Sequence, residues 1–225
     1  MSENFIMVNV EENNFVVEEC PDCKNYCRPN FFSHIQSMFN SGKRIDEQFG
    51  FLKSFEAIVK FWNVWAYSGI KSAKKNLNRS VSGEYHLIII LKLNPVKDLI
   101  TFSSGNDLLI DYFQKKKVPY KVIFCDNEES FKNEIIEENA QYLWIFGHGD
   151  RHGVFFRKQK YFPYCRLKNA PKKRFIAQLH CCNGSGNTLG EYLSTNSGIF
   201  SSDFRNSLRN REDIKKWIED EGTIG

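Results

Sequence analysis

The segment His86–Leu93 reads HLIIILKL, with five consecutive aliphatic residues at Leu87–Leu91, and is closed by Asn94-Pro95. A strand with one wet face alternates apolar and polar side chains. A short run without that alternation fits a strand buried on both faces of a parallel sheet. The sequence downstream keeps the same rhythm. Asp107–Lys116 carries Leu108, Leu109, Tyr112 and Phe113 at helical spacing, and Tyr120–Phe124 (YKVIF) reads as a second strand. Glu128–Asn139 places Phe131, Ile135 and Ile136 on one helical face. Tyr142–Phe146 (YLWIF) and Phe175–Leu179 (FIAQL) complete four strands. Strand–helix–strand alternation requires right-handed crossovers, so the expected fold is α/β: a mainly parallel central sheet between two helical layers.

In such sheets the functional site lies beyond the carboxyl ends of the strands. The third strand runs out into Gly147-His148-Gly149-Asp150 and the fourth into His180-Cys181-Cys182-Asn183-Gly184. A thiol attacks as thiolate, so it needs a base or a positive field beside it, and a histidine on a neighbouring strand end supplies one. Adjacent strands lie about 4.8 Å apart, which brings residues just past two neighbouring tips within reach of one carbonyl. The N–H groups of Gly149 and of the thiol residue itself are the natural donors to an oxyanion.

The pair YLWIFGHGD and PKKRFIAQLHCCNGSG resembles the caspase-like cysteine peptidases, a group that includes caspases, metacaspases, legumain, gingipains, separase and the CHAT domains. In that group a hydrophobic strand ends in His-Gly, and a later one ends in a small residue followed by the nucleophilic Cys. The resemblance covers about residues 84–205. It implies a three-layer caspase-like sandwich and a cysteine–histidine dyad, with His148 as base or orienting group and Cys182 as nucleophile. It also implies Gly149 and Cys182 as the oxyanion donors, and a polypeptide substrate hydrolysed without a cofactor.

Cys182 follows His148 by 34 positions, fewer than the roughly 50 of caspases, and Cys-Asn-Gly replaces Cys-Arg-Gly, so aspartate specificity is not implied. Only 43 residues follow Cys182: a short helix at Leu189–Leu193, a fifth strand at Gly198–Ser201 and a charged helix at Asn210–Glu219. Judged against the family, that tail implies a reduced substrate pocket, a pocket completed by a partner, or a non-catalytic relative.

Neighbouring residues have plainer readings. Side chains alternate along a strand, so Cys181 is expected to fill the core behind Cys182. His152 and His180 read as surface or hydrogen-bonded histidines, and Asp150 either orients a neighbour or closes a turn with Gly153. The segment between Gly153 and Lys173 is either a hairpin or a cleavable linker.

Upstream, the chain changes character near Asn78–Gly83, dividing it into a helical, cysteine-containing region 1–83 and an α/β domain 84–225. Phe49–Ala73 places Phe51, Phe55, Ile58, Val59, Trp62 and Trp65 at helical spacing. Phe61, Val64 and Tyr67 widen the stripe, predicting a helix buried on more than one side or docked on a protein partner. Cys20, Cys23 and Cys27, with His34 beyond, can supply four tetrahedral ligands to a structural zinc, against the alternative of free thiols in a turn.

The bulk numbers agree with a globular chain. It has 225 residues, 41% hydrophobic and 15% aromatic, enough to bury a core. A net charge of +4 spread along the chain does not indicate a nucleic-acid partner. No run approaches the roughly 18 apolar residues of a membrane span, and the N-terminus lacks the pattern of a secretory signal. Seven cysteines, odd in number and unevenly spaced, fit reduced thiols and a cytoplasmic location. Three functions are therefore in contention: a thiol endopeptidase, an inactive caspase-like domain serving protein interaction or regulation, and a small zinc-binding module.

Overall fold

A computed structural model describes residues 51–157, 160–180, 186–195, 199–201 and 207–220. The elements are α1 (Phe51–Lys75), β1 (Tyr85–Leu91), α2 (Pro95–Ser103), α3 (Asn106–Lys116), β2 (Tyr120–Cys125), α4 (Glu128–Ile135) and β3 (Ala140–Phe146). They continue with β4 (Gly153–Phe155), β5 (Tyr161–Pro163), a 3-10 turn at Tyr164–Leu167, β6 (Phe175–Leu179), α5 (Leu189–Leu193), β7 (Ile199–Ser201) and α6 (Ser207–Glu219).

The main sheet runs β2-β1-β3-β6-β7, and every pairing in it is parallel. The unbroken apolar run of β1 follows from its place between β2 and β3, with both faces covered. Leu87, Ile89 and Leu91 join Ile123, Leu143, Ile145 and Ile176 in one core, closed by Phe131 and Ile135 of α4, Phe162 of β5, and Leu189 and Leu193 of α5. Ile88 and Ile90 join Val122, Trp144, Phe146, Ala177 and Leu179 in a second core, closed by residues of α1, α2, α3 and α6. Complete burial of one such side chain is worth about 2 kcal/mol.

The chain leaves β1 toward β2 on one side and returns past it to β3 on the other, so the order of strands reverses between β1 and β3. That is where an open sheet forms its crevice. At this point Asn94-Pro95 does not simply end a strand. Asn94 caps α2 by accepting from the Lys97 amide at 3.0 Å, and Pro95 occupies the first turn, where its missing N–H costs nothing.

The helix expected over Phe49–Ala73 is present as α1, but Val64 and Tyr67 are 59% and 69% exposed, so this part of the helix is not buried on a second side. Its packing face is Ala66, Gly69, Ile70 and Ala73, at the spacing that meets α2 and α3. Gly69 lies mid-helix, where it costs about 1 kcal/mol against alanine. A Cβ there would sit 2.1 Å from the Phe102 carbonyl oxygen, and Asn106 donates to the Gly69 carbonyl at 3.0 Å. The Gly153–Lys173 segment contains an antiparallel hairpin, β4 with β5. Among the described residues no helix is long and apolar enough to cross a membrane.

Lys173, just ahead of β6, is completely buried and donates from Nζ to the Glu137 carbonyl at 2.6 Å. Burial pushes its amine down to about 8, against the pull of Glu137 and Glu138. In the unfolded chain it titrates near 10.4, so between those values the unfolded state holds more protons and stability rises with pH. Urea unfolding should show the native chain gaining about 2 kcal/mol more than Lys173→Met between pH 8 and pH 10. Parallel pH profiles would contradict a desolvated amine.

Candidate functional site

The carboxyl ends of β3 and β6 lie side by side, with Phe146 paired to Leu179. Beyond β3, alternation sends His148 toward the α2 side of the sheet. Its ring is buried, 8% exposed, with Nε2 3.1 Å from the carbonyl oxygen of Lys97 in the first turn of α2. A carbonyl only accepts, so this contact assigns the proton to Nε2 and makes Nδ1 the basic nitrogen of the neutral ring. The contact is one sequence reading missed, because nothing in a residue pattern marks which backbone carbonyl a histidine will meet.

Gly149 is required by close approach. A Cβ there would sit 2.4 Å from the Gly153 carbonyl and 2.8 Å from Nδ1 of His180. The His180 ring thus forms the wall behind this peptide. Its Nε2 is 2.6 Å from the Tyr164 hydroxyl, and both residues are buried. His180 and His152 had been expected as surface or hydrogen-bonded histidines. Both are buried, at 2% and 1% exposed, so the surface alternative fails for each. Tyr164 was missed altogether. Its backbone N–H donates to the His152 carbonyl at 2.8 Å, so one residue braces both strand-end loops.

Asp150 closes the turn, as one of its two readings had it. One carboxylate oxygen accepts from the amides of His152 and Gly153, each at 3.0 Å, and from the Tyr161 hydroxyl at 2.8 Å. Its own N–H donates to the Gly153 carbonyl at 3.0 Å. Arg151 then ties this loop to the segment that begins at Gly186. Its Nε donates to the Gly186 carbonyl at 2.8 Å, and its guanidinium pairs with Glu191 at 3.1 Å. A crevice of about 470 Å³ opens beyond β1, lined by Lys92, Pro95, Leu99, Phe102 and Arg157 among others. It adjoins the α2 turn that holds His148.

His148 and Gly149 are thus placed together at the end of β3, next to the strand that leads into the thiol pair. Cys181 and Cys182 lie outside the described residues, as do Cys20, Cys23, Cys27 and His34. Among the described residues no three His, Cys, Asp or Glu side chains stand together as a metal-binding group. Of the other cysteines, Cys125 is free and buried, and burial pushes its thiol up to about 12, far from a reactive thiolate. Cys165 is disulfide-bonded, which corrects the expectation of reduced thiols throughout. That expectation rests on the number and spacing of the cysteines, and neither prevents one pair from forming.

Compared with known proteins, the chain matches no family model, no curated protein and no solved structure.

Proposed function

We propose that the chain is a thiol-dependent endopeptidase of caspase-like type. The observation that carries this reading is the pairing of β3 with β6, because it brings His148-Gly149 and His180, the residue that precedes Cys181-Cys182 in the sequence, to the same end of the sheet. Supporting it is the contact of His148 Nε2 with the Lys97 carbonyl, which holds the ring at the end of β3.

In this reading Cys182 is in its thiol form, and its Sγ attacks the scissile carbonyl carbon while its proton passes to His148. The oxyanion is held by the N–H groups of Cys182 and Gly149, the latter fixed by the His180 ring behind it. Collapse of the tetrahedral intermediate expels the amine, which takes the proton back from His148. Water then adds to the thioester, its proton moving through the same histidine, and the carboxylic acid leaves with the thiol restored. The substrate is a polypeptide, and no step requires a cofactor.

Iodoacetamide and a peptidyl chloromethylketone test the assignment, with the modified cysteine located by mass spectrometry. Cys182 is expected to react at least 10-fold faster than a cysteine of the denatured chain, and about 100-fold slower after His148→Ala, in the range of general-base contributions. Cys182→Ala should abolish peptide hydrolysis. Hydrolysis that survives Cys182→Ala, or labelling indifferent to His148→Ala, overturns the reading.

A further inference from the structure

The C-terminal helix α6 crosses back over the sheet and reaches the end of β6. Asn210, buried at 4% exposure, donates from Nδ2 to the carbonyl oxygen of Leu179 at 3.2 Å. Leu179 is the last residue of β6 and directly precedes His180-Cys181-Cys182. The ladder contact to the same oxygen, from the Gly147 amide, is long at 3.5 Å. The side chain of Asn210 is therefore the closer of these two donors at the point where the strand gives way to the thiol-bearing segment.

The helix does not depend on this bond for its own place. Arg211 makes a two-pronged pair with Asp107 at 2.7 and 3.0 Å, and Ser68 donates to the same carboxylate at 2.8 Å. Ile214 is fully buried against Gly105, and Trp217 packs edge-on against Trp144 with ring centres 4.8 Å apart. A single neutral hydrogen bond adds little to an attachment of this size. Its consequence is geometric. The peptide unit is planar, so a donor that fixes the Leu179 oxygen also fixes the nitrogen of His180 and the direction in which the chain leaves the sheet. Displacing a reacting group by about 1 Å can cost about 100-fold in rate.

We infer that Asn210 is a positioning residue for the thiol site, acting through the Leu179–His180 peptide; the inference rests on the peptidase reading for its catalytic meaning. The full-length chain, Asn210→Ala, Asn210→Asp and Trp217→Phe are compared. Asn210→Asp keeps the shape but sets an acceptor against the Leu179 carbonyl, and Trp217→Phe loosens the same helix while keeping the Asn210 donor to Leu179. The readouts are the iodoacetamide rate at Cys182 across pH 6 to 9, the melting temperature, and hydrogen exchange at the His180 amide.

Both Asn210 variants are expected to lower the alkylation rate about 10-fold and move its pH midpoint. Trp217→Phe lowers the melting temperature at least as much and leaves the rate unchanged. Wild-type rates and pH profiles in both Asn210 variants overturn the inference, as does a loss of rate that simply follows melting temperature in all three. If Asn210→Ala does not fold, the isosteric Asn210→Asp decides. If Cys182 of the unaltered chain is no more reactive than a denatured-chain cysteine, the peptidase reading falls, and exchange at His180 decides alone. Exchange at least 10-fold faster in Asn210→Asp than in Trp217→Phe then sustains the positioning role, and equal exchange removes it.

Discussion

Asp150→Ala is expected to lower stability by roughly 3 to 5 kcal/mol and the melting temperature by about 10 °C, the scale at which a buried network loses its centre. The carboxylate is 2% exposed and takes two backbone N–H groups and the Tyr161 hydroxyl on one oxygen. Bonds to an ionised acceptor are worth about 1.5 to 3 kcal/mol each, although they do not add in full. The larger part of the loss comes from what the substitution leaves behind. The amides of His152 and Gly153 are enclosed by the hairpin, and an alanine offers them no acceptor. Asp150→Asn retains a carbonyl oxygen at the same place and should recover about half of the loss. Calorimetry on the three chains checks this, and a shift under 2 °C for Asp150→Ala would mean that water replaces the carboxylate. Because Asp150 follows Gly149, the alanine variant should also slow alkylation of Cys182 more than its loss of stability explains.

The sheet was legible because its signal is local and repeated. β1, β2, β3 and β6 each carry residues that alternate between two cores, and both cores are apolar, so in β1 the pattern collapses to the continuous run expected of a doubly covered strand. Helix α2 was not read, although Asn94, Pro95 and Asp98 form a regular start for one. Pro95 both ends the apolar run of β1 and opens the next element. The helical pattern over Glu128–Asn139 overruns the element for a related reason: α4 stops at Ile135, and Ile136, 40% exposed, lies past the last turn that keeps the period.

At the candidate site, the residues that a strand end presents were found, and the residues that brace them were not. His148 and Gly149 follow β3 directly, so their place follows from the strand itself. Tyr164 meets His180 across 16 residues that hold the 3-10 turn and β6, and Asn210 meets Leu179 across 31. Neither contact has a periodic signature, because each depends on how separate layers come to rest on the sheet. The same applies to the face of α1. A hydrophobic stripe names the residues that can be buried, and Val64 and Tyr67 stay exposed because α2 and α3 cover the side occupied by Ala66, Gly69 and Ala73.

Acidification should destabilise the fold well above the pH at which carboxylates usually titrate, and His86 is the expected cause. Its ring is stacked on Tyr142 at 4.3 Å, lies 4.4 Å from Phe113, and accepts a hydrogen bond at Nδ1 from the Trp144 indole at 3.0 Å. Burial pushes its pKa down to about 3. The unfolded chain takes up this proton near pH 6.5 and the folded chain does not, so stability present above pH 6.5 is lost progressively as pH falls toward 3. The full loss from this one group is about 5 kcal/mol, a large share of what a domain this size commands. His86→Gln can keep an acceptor toward Trp144 while removing the titration. It should begin less stable at pH 7, by about 1 to 2 kcal/mol of lost packing and stacking. It should then lose less as the pH drops, so the two curves cross between about pH 6 and pH 5. Urea unfolding at four pH values from 7 to 4 measures this directly. Curves that stay parallel would place the acid sensitivity elsewhere and show that His86 is protonated in the folded chain.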